Sequence, residues 1–377
     1  MKKSNAPRVS DVVAALFERA PAGLAEAWDN VGLIVGRAEA PVRRCLLATD
    51  AAPAVVEEAA ARGAQAVVAH HPPFIEPLKR VRGSDYGGEV ALRAARHGIA
   101  LIAMHTNLDA APGGLCDALA RRIGLEAIEP LGERSGRGPV KFVVFVPAQH
   151  ADAVRQAMAE AGAGRVGDYE ACSFAARGTG TFRPLRGAKP HKGKVGRLER
   201  VEELRLEALV PRHRAAEVVA AAIRAHPYEQ VAYDLIPLEN ESPAALGRIG
   251  RLDSPLTLGG LARRARERLG AANVVMAGGR RARVARVAVG PGGAGFLAQP
   301  AAAAGAQALL VGEIRHHEVL AARALGLGVI AAGHHATERL AVGIFREALR
   351  AAFGSRVRSL LSRADAEPLA PLGAARA

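Results

Sequence analysis

The sequence predicts an α/β protein in which two α/β repeats form one domain and an α+β segment interrupts that domain. Two observations carry this prediction. The first is an internal repeat, because residues 63–71 read GAQAVVAHH and residues 305–317 read GAQALLVGEIRHH. The second is a middle segment with a strand and helix pattern of its own. We place the first half of the domain at residues 1–137, the insert at 138–240 and the second half at 241–377.

Both repeats show the same order of elements. The N-terminus is a short charged arm followed by an amphipathic helix, which predicts no export signal. In each repeat an alanine-rich helix precedes the GAQA strand, and a further helix leads to a second apolar strand. These second strands lie in GIALIAMHTNLD, residues 98–109, and GLGVIAAGHHATE, residues 326–338. Short apolar runs separated by helices are typical of parallel strands that helices cover on both faces.

The insert reads as a small α+β module. It opens with a strand and a helix in VKFVVFVPAQHADAVRQAMAEAGAG, and it closes with a strand, a helix and a strand. Between these parts, residues 178–203 are rich in Gly, Arg and Lys and predict a loop. In the second half, the sequence RADAEPLAPLGAARA after about residue 363 predicts a frayed tail.

The composition argues against several classes of protein. The net charge is +14, but only seven of the 51 basic residues are lysine, and the arginines are dispersed without interleaved aromatic side chains. This bias is typical of a GC-rich genome, so we expect no nucleic-acid partner. No apolar run reaches the roughly 18 residues that a membrane span needs. Three scattered cysteines form neither a disulfide framework nor a CxxC site. We therefore expect a cytoplasmic protein.

Histidines gather at the ends of the predicted strands. Seven of the twelve histidines lie there, namely His70, His71, His105, His316, His317, His334 and His335. The carboxyl ends of parallel strands are where α/β sheets usually carry their sites. Imidazole together with carboxylate suits zinc, iron(II), manganese or nickel. For His316 and His317 a ligand role and a role in orienting ligands are both open.

The adjacent pair His70 and His71 is followed directly by Pro72 and Pro73. Successive residues on a regular strand point to opposite faces, so an adjacent pair chelates one ion poorly. At a strand end the chain can direct the two side chains toward neighbouring positions. We interpret His70 and His71 as ligands of two metal ions.

The second strands end in a shared His-x-x-x-acid pattern. It runs from His105 to Asp109 in the first repeat and from His334 to Glu338 in the second. Taken alone, Asp109 is compatible with a helix N-cap and Glu338 with a solvated helix position. Because both repeats carry the pattern, we expect the four histidine clusters to converge.

Two further motifs precede or follow apolar strands. WDNVGLIVG places Trp28, Asp29 and Asn30 before a strand, where a turn and a pocket-lining role are both open. GPGGAG, residues 290–295, has neither a P-loop lysine nor the full dinucleotide-binding spacing, and it predicts a tight turn.

The motifs WDNVGL, AHHPPF, HTNLDAAPGG, GEIRHH and AGHHATE together resemble the Nif-three-like dinuclear metal-centre hexameric family. Its members are labelled GTP cyclohydrolase I type 2 homologs, and the resemblance covers about residues 8–365. It implies two α/β repeats that hold two divalent metal ions, and subunits that form a toroidal homohexamer. The metal ligands that it implies are His70, His71, Asp109, His334 and Glu338.

The resemblance also implies the surroundings of the metals. Residues expected in an outer shell or a substrate pocket are His105, Trp28, Asp29, Asn30, Glu313 and His317. His105 is expected to relay protons or to ligate occasionally. Ala331 stands where the family often has an aspartate, so one outer carboxylate is expected to be missing. The insert is similar to PII-like and copper-tolerance domains through AGAGRVGDYEACSF, GTGTF and HPYEQVAYD.

Two functions are expected from this site. Two bridged cations lower the pKa of a shared water and supply a hydroxide near neutral pH. That hydroxide suits attack on a nucleotide-like substrate, such as the ring carbon opened in GTP, and it also suits phosphoester hydrolysis. The alternative is a metal-binding regulatory or scaffold protein without turnover. The sequence leaves the metal, the substrate and the choice between these functions open.

Overall fold

The computed structural model describes residues 6–136, 138–240, 242 and 244–369. These residues form two compact units. The first unit combines the chain before residue 137 with the chain after residue 242, and the second unit consists of the segment between them. The chain therefore leaves the first unit and later returns to it.

The strands of the described residues are, in chain order, β1 (Gly32–Val35), β2 (Arg44–Asp50), β3 (Ala66–His71), β4 (Ala100–Ala103), β5 (Leu125–Arg134), β6 (Val140–Pro147), β7 (Phe174–Phe182), β8 (Glu199–Val210), β9 (Tyr233–Pro237), β10 (Ala245–Thr257), β11 (Val275–Ala277), β12 (Arg283–Gly293), β13 (Ala308–Glu313), β14 (Gly328–Ala331) and β15 (Arg358–Leu361). The α-helices are α1 (Val9–Arg19), α2 (Pro53–Ala61), α3 (Tyr86–His97), α4 (Thr106–Ala110), α5 (Leu115–Ile123), α6 (Ala151–Glu160), α7 (Ala215–Ala225), α8 (Leu258–Leu269), α9 (Ala298–Ala303), α10 (His316–Ala324), α11 (His334–Glu338) and α12 (Ala341–Phe353). Within the described ranges, each helix is too short or too polar to cross a membrane.

The first sheet of the first unit has the strand order β1-β4-β3-β2-β15. Its strands β15, β2, β3 and β4 are parallel, and β1 pairs antiparallel with β4 at the edge. Leu47 and Val68 pack toward α1 and α12, whereas Leu46 and Val67 pack toward α2 and α3. The predicted GAQA and GIALIA strands are thus parallel and covered on both faces, which confirms the prediction from their apolar runs.

The second sheet of the first unit has the order β11-β14-β13-β12-β10-β5. Its strands β12, β13 and β14 are parallel, while β11, β10 and β5 pair antiparallel. Leu310 and Ile330 pack toward α5 and α8, whereas Leu309 and Val329 pack toward α9 and α10. This sheet therefore also has three consecutive parallel strands between layers of helices.

The GAQA segments make matching contacts in the two sheets. The Gln65 Oε1 atom accepts hydrogen bonds from two consecutive backbone N–H groups before and at the start of β2, and its Nε2 donates to the Gly63 carbonyl. The Gln307 Oε1 atom likewise accepts from two consecutive N–H groups of β12, and its Nε2 donates to the Gly305 carbonyl. Each glutamine therefore fixes the start of a parallel strand against its neighbour.

The second unit has the element order β6, α6, β7, β8, α7, β9 and an antiparallel sheet of order β7-β8-β6-β9. Phe142 and Leu206 pack against α6 and α7 on one face of this sheet. The prediction of a loop over residues 178–203 is wrong at both ends, because Gly178 pairs with Glu203 in an antiparallel ladder. Strand pairing overrides the weak strand propensity of glycine there, and the loop is confined to residues 183–198.

The expected fraying after residue 363 is also wrong for the first residues of the tail. The Arg363 backbone N–H donates to Glu58 at 2.9 Å, and Asp365 accepts from the Thr49 N–H at 2.7 Å. Carboxylate groups thus hold this segment to α2 and to β2 of the first sheet. The end of the predicted tail, residues 370–377, lies outside the described residues.

Candidate metal centre

Several of the predicted site residues meet where strands of the first unit end. His70 and His71 are the last residues of β3, and His105 follows β4 immediately before the short helix α4. His334 and Glu338 are the first and last residues of α11, which follows β14. The structure therefore brings together strand ends that come from distant parts of the chain.

The imidazole of His70 is buried and held in one orientation. Its Nδ1 lies 2.8 Å from the Met104 carbonyl, which can only accept, so Nδ1 carries the proton. Among the described residues its Nε2 has no hydrogen-bond partner, and it lies 3.6 Å from Asp109 Oδ1, which is likewise buried and without a partner there. Burial lowers the pKa of His70 to about 3 and raises the pKa of Asp109 well above its usual value. Two buried ligand atoms thus face each other without a hydrogen bond from the part of the chain that the structure describes.

His71 bridges two carboxylates. Its Nδ1 is hydrogen-bonded to Asp50 Oδ1 at 2.8 Å, and its Nε2 lies 2.9 Å from Glu338 Oε2. Burial disfavours the charged ring, but the contacts with Asp50 and Glu338 prevail and raise the pKa of His71 to about 10. A cation that binds here must therefore displace a proton from His71.

His334 and Glu338 form a contact across one turn of α11. His334 Nε2 lies 3.0 Å from Glu338 Oε2, and this contact raises the pKa of His334 to about 9. Burial opposes ionisation of Glu338, yet His334 and His71 lower its pKa well below the usual range. The neighbouring His335 instead lies 3.5 Å from Asp365, outside this cluster.

His105 is oriented by an inaccessible carboxylate. Its Nδ1 is hydrogen-bonded to Asp29 Oδ1 at 2.8 Å, and the Asp29 side chain is 0% exposed. Burial raises the pKa of Asp29, but hydrogen bonds from His105 and Thr106 outweigh it and lower the value to about 2. The His105 ring centroid lies 5.3 Å from those of both His70 and His71. Asp29 therefore presents the Nε2 side of His105 toward the cluster.

The other residues of the WDNVGL motif lie at the border of this cluster. The Trp28 ring meets His105 edge to face with centroids 6.0 Å apart, and Trp28 is 56% exposed. Asn30 Nδ2 donates to the Phe74 carbonyl at 3.0 Å, which ties this motif to the segment that follows the histidine pair. An exposed aromatic surface thus lies directly beside the histidines.

Two groups of possible ligands emerge among the described residues. One consists of His70, His71 and His105, and the other consists of His71, His334 and Glu338. Within each group the nearest ligand atoms lie within 4.8 Å of one another. The groups share His71, so the cluster could hold a metal ion in either place.

Two residues of the GEIRHH motif do not join the cluster. His316 and His317 are exposed in the first turn of α10. Glu313 lies closer, because its Oε1 is 3.3 Å from His334 Nδ1, but its side chain is 63% exposed. Only the glutamate of this motif therefore touches a predicted ligand.

Sequence reasoning missed two residues that shape the site. Asp50, the last residue of β2, pairs in register with His71 and orients its ring. Gly292 has φ +56°, and a Cβ built on it would lie 2.1 Å from Glu338 Oε1. The predicted tight turn GPGGAG is therefore the end of β12 packed against Glu338 and His334. The position of Asp50 at a strand end was the one feature of the sequence that could have indicated its role in the site.

The fold and this cluster define an α/β protein with a candidate centre for divalent metal ions. The chain belongs to the Duf34/NIF3 (NGG1p interacting factor 3) family, whose model matches residues 7–368. The family identified from the sequence motifs is thus confirmed over nearly the whole chain.

The matches to named relatives span most of this chain and most of each relative. A protein of Halalkalibacterium halodurans named GTP cyclohydrolase 1 type 2 homolog is 38% identical over 331 residues, which cover 87% of this chain and 89% of the relative. A Mycobacterium bovis protein of the same name is 38% identical over 353 residues, covering 92% and 93%. A crystal structure of a Bacillus cereus protein related to NIF3 matches with a TM-score of 0.87 and 34% identity, covering 98% of this chain and 100% of that one. The Staphylococcus aureus protein SA1388 shares the fold, with a TM-score of 0.73 at 24% identity and coverage of 98% and 100%.

Proposed function

We propose that this protein is a metal-dependent hydrolase that holds two divalent cations in each subunit and acts on a nucleotide-like substrate. One observation carries the proposal. His70 Nε2 and Asp109 Oδ1 are buried, 3.6 Å apart and without a hydrogen-bond partner within the described ranges. Buried polar atoms are normally satisfied, so a pair of bare ligand atoms fits a cation that completes them.

The donor set fits borderline divalent cations. The ligands that we propose are His70, His71, Asp109, His334 and Glu338. Imidazole nitrogens and carboxylate oxygens without thiolate suit zinc, iron(II), manganese or nickel. Two neighbouring ion positions are supported by the two ligand groups, one with His70 and His105 and the other with His334 and Glu338. His71 belongs to both groups, but Asp50 holds its Nδ1 and its Nε2 has one lone pair, so His71 can ligate only one of the two ions.

The side chains around the ligands supply further parts of the proposed reaction. When bound, two cations would provide a Lewis acid and a water of lowered pKa. Asp29 keeps the proton of His105 on Nδ1, which leaves Nε2 free to take up or relay a proton. The exposed ring of Trp28 beside His105 offers a flat apolar surface for a substrate ring.

The relatives' names suggest the substrate class. They are called homologs of GTP cyclohydrolase 1 type 2, so we propose GTP or a similar nucleotide as the first compound to test. A phosphoester is the second candidate, because the same centre suits its hydrolysis. A regulatory or scaffold protein that binds metal without turnover is the alternative outcome of that test.

We also propose the finer architecture. The matching contacts of Gln65 and Gln307, and the three parallel strands in each sheet, support two pseudo-symmetric repeats. The βαββαβ order and the β7-β8-β6-β9 sheet support a ferredoxin-like, PII-like insert domain over residues 138–240. The toroidal homohexamer is proposed from family membership alone. The cytoplasmic location and the lack of a nucleic-acid partner stay predictions.

Metal content and turnover measured on the same samples test the proposal. We expect about two metal ions per chain in tag-free protein, and loss of metal and of GTP or phosphoester hydrolysis in Asp109→Ala and His334→Ala. The matched control is His317→Ala, which removes an exposed histidine outside the cluster and should keep both properties. Two metal ions without turnover would support the regulatory alternative. Absence of metal after reconstitution would contradict the metal centre itself.

A further inference from the structure

The segment after α12 returns to the first sheet and ends beside the metal centre. Strand β15 pairs in parallel with β2, and the Ser362 N–H continues this pairing by donating to the Leu47 carbonyl at 3.0 Å. Glu58 of α2 then holds the following turn, because it accepts from Ser362 Oγ at 2.6 Å and from the Ala364 N–H at 3.0 Å. These contacts fix the direction in which the chain continues.

The turn delivers Asp365 to the carboxyl end of β2. The Asp365 carboxylate accepts from the Thr49 N–H at 2.7 Å and from the Asp50 N–H at 3.4 Å. These two residues end β2, beyond the point where β15 stops pairing with it. The carboxylate thus accepts backbone N–H groups that a neighbouring strand would otherwise bond. The Asp365 side chain is only 8% exposed.

Asp365 contacts structural elements on both sides of the ligand cluster. On one side, Asp365 accepts a hydrogen bond from the N–H of Asp50. The Asp50 side chain in turn orients the His71 ring through a 2.8 Å hydrogen bond. On the other side, Asp365 Oδ1 lies 3.5 Å from Nε2 of His335, which follows His334 in α11. One buried carboxylate therefore joins the strand end that orients His71 to the helix that carries Glu338.

We infer that Asp365 is a positioning residue of the metal centre, which sets the distance between His71 and the α11 ligands through Asp50 and His335. Within the part of the chain that the structure describes, its polar contacts are with Thr49, Asp50, Ser362 and His335, none of which is a proposed ligand. The inference rests on the proposed metal centre but not on the hydrolase activity. Groups that orient metal ligands from outside typically change metal affinity by about 10- to 100-fold when they are replaced.

Zinc titration of metal-free full-length protein against a chromophoric chelator tests this role. For Asp365→Asn we expect the weaker of the bound zinc ions to lose affinity by about 10-fold or more, and we expect Asp365→Glu to recover part of the loss. The matched control is Asp253→Asn, because Asp253 also accepts a backbone N–H, from Ser254 at 2.8 Å, but its side chain is 60% exposed. Its zinc affinity should equal that of wild type.

A cobalt(II) spectrum separates positioning from a purely structural role. If Asp365 only stabilises the fold, Asp365→Asn lowers the melting temperature but leaves the zinc affinity and the cobalt absorption bands of the folded protein unchanged, and the inference is wrong. Should Asp365→Asn fail to fold, Glu58→Gln loosens the turn that carries Asp365 and provides the same comparison.

The two proposals fail in different ways. A wild-type protein that binds no zinc would remove the metal centre and this inference together. A wild-type protein that binds zinc without turnover would contradict the hydrolase alone, and the zinc affinity of Asp365→Asn would still decide the role of Asp365.

Discussion

The two halves of the ligand cluster begin from similar strands and end differently. Counted from their GAQA segments, β3 ends in His70-His71, whereas β13 ends in Gly312-Glu313. The glycine is required at this place, because a Cβ on Gly312 would lie 2.7 Å from Thr337 Oγ1. The strand end that bears two imidazoles in the first half thus makes room for α11 in the second.

The halves also differ in how they hold their ligands. In the first half, each histidine ring of the cluster is hydrogen-bonded through Nδ1 to a carbonyl or a carboxylate, and the Asp29 side chain is inaccessible. In the second half, His334 is 37% exposed and its Nδ1 neighbour Glu313 is 63% exposed, but Glu338 is only 5% exposed. The first half therefore provides oriented imidazoles, and the second half provides a buried negative charge.

The largest expected effect comes from a residue that joins the halves. Arg248 of β10 is 2% exposed, pairs with Asp117 at 2.8 Å, and donates to the Ala110 and Ala111 carbonyls at the end of α4. We expect Arg248→Met to lower the free energy of unfolding by about 3–5 kcal/mol, because it removes the buried cationic partner of Asp117 and leaves that carboxylate with the exposed Arg121 at 4.0 Å.

Urea unfolding of the metal-free protein, followed by fluorescence of the single tryptophan Trp28, measures this effect in the first unit. The control Arg251→Met changes an exposed arginine on the same strand and should stay within about 0.5 kcal/mol of wild type. A loss below about 1 kcal/mol for Arg248→Met would mean that α4 does not depend on the second half.

The next effect tests how the second half positions its carboxylate. We expect Gly292→Ala to weaken zinc binding by about 100-fold or more, because the added Cβ would lie 2.1 Å from Glu338 Oε1 and φ is +56°. The neighbouring Gly293→Ala is a close control, since its Cβ would meet nothing nearer than Glu313 at 3.7 Å. Equal zinc affinities of the two variants would show that Glu338 does not need the space at Gly292.

The sequence predicted the parts of this site that repeat along the chain. Apolar runs and the two GAQA segments predicted the parallel strands, and the histidine clusters indicated where those strands end. The comparison of the two repeats aligned His316-His317 with His70-His71, because both are pairs of adjacent histidines, and this alignment was misleading. In the structure, Glu318 accepts from the Arg315 N–H at 2.8 Å and α10 begins at His316, which turns both side chains outward.

The contributions that sequence could not predict depend on contacts between distant segments. Asp50 is a lone acidic residue in the sequence, and its role arises only because β2 pairs in register with β3. Gly292 and Asp365 are likewise defined by contacts with α11. A sequence pattern shows that a residue ends a strand, but not which side chain from elsewhere meets it there.

The contrast in orienting partners gives a third prediction. We expect Asp29→Asn to weaken zinc binding by about 10- to 100-fold, because His105, which belongs to one group of possible ligands, loses a buried charged partner. Glu313→Gln is the matched change in the second half, and we expect less than about a threefold effect because an exposed contact contributes little. Zinc titration of both variants checks the difference. Equal effects would contradict the view that the two halves hold their histidines differently.

The smallest effect tests what the halves share. Gln65 and Gln307 each accept from two backbone N–H groups and donate to a glycine carbonyl, so we expect Gln65→Ala and Gln307→Ala to cost similar free energies of about 1–2 kcal/mol. Urea unfolding followed by Trp28 fluorescence measures both, with Gln299→Ala, at an exposed glutamine of α9 in the same unit, as the control. If only one of the two substitutions lowers the free energy of unfolding, the matching hydrogen bonds of the two glutamines contribute unequally to stability. The difference between the halves would then extend beyond their ligand-bearing ends.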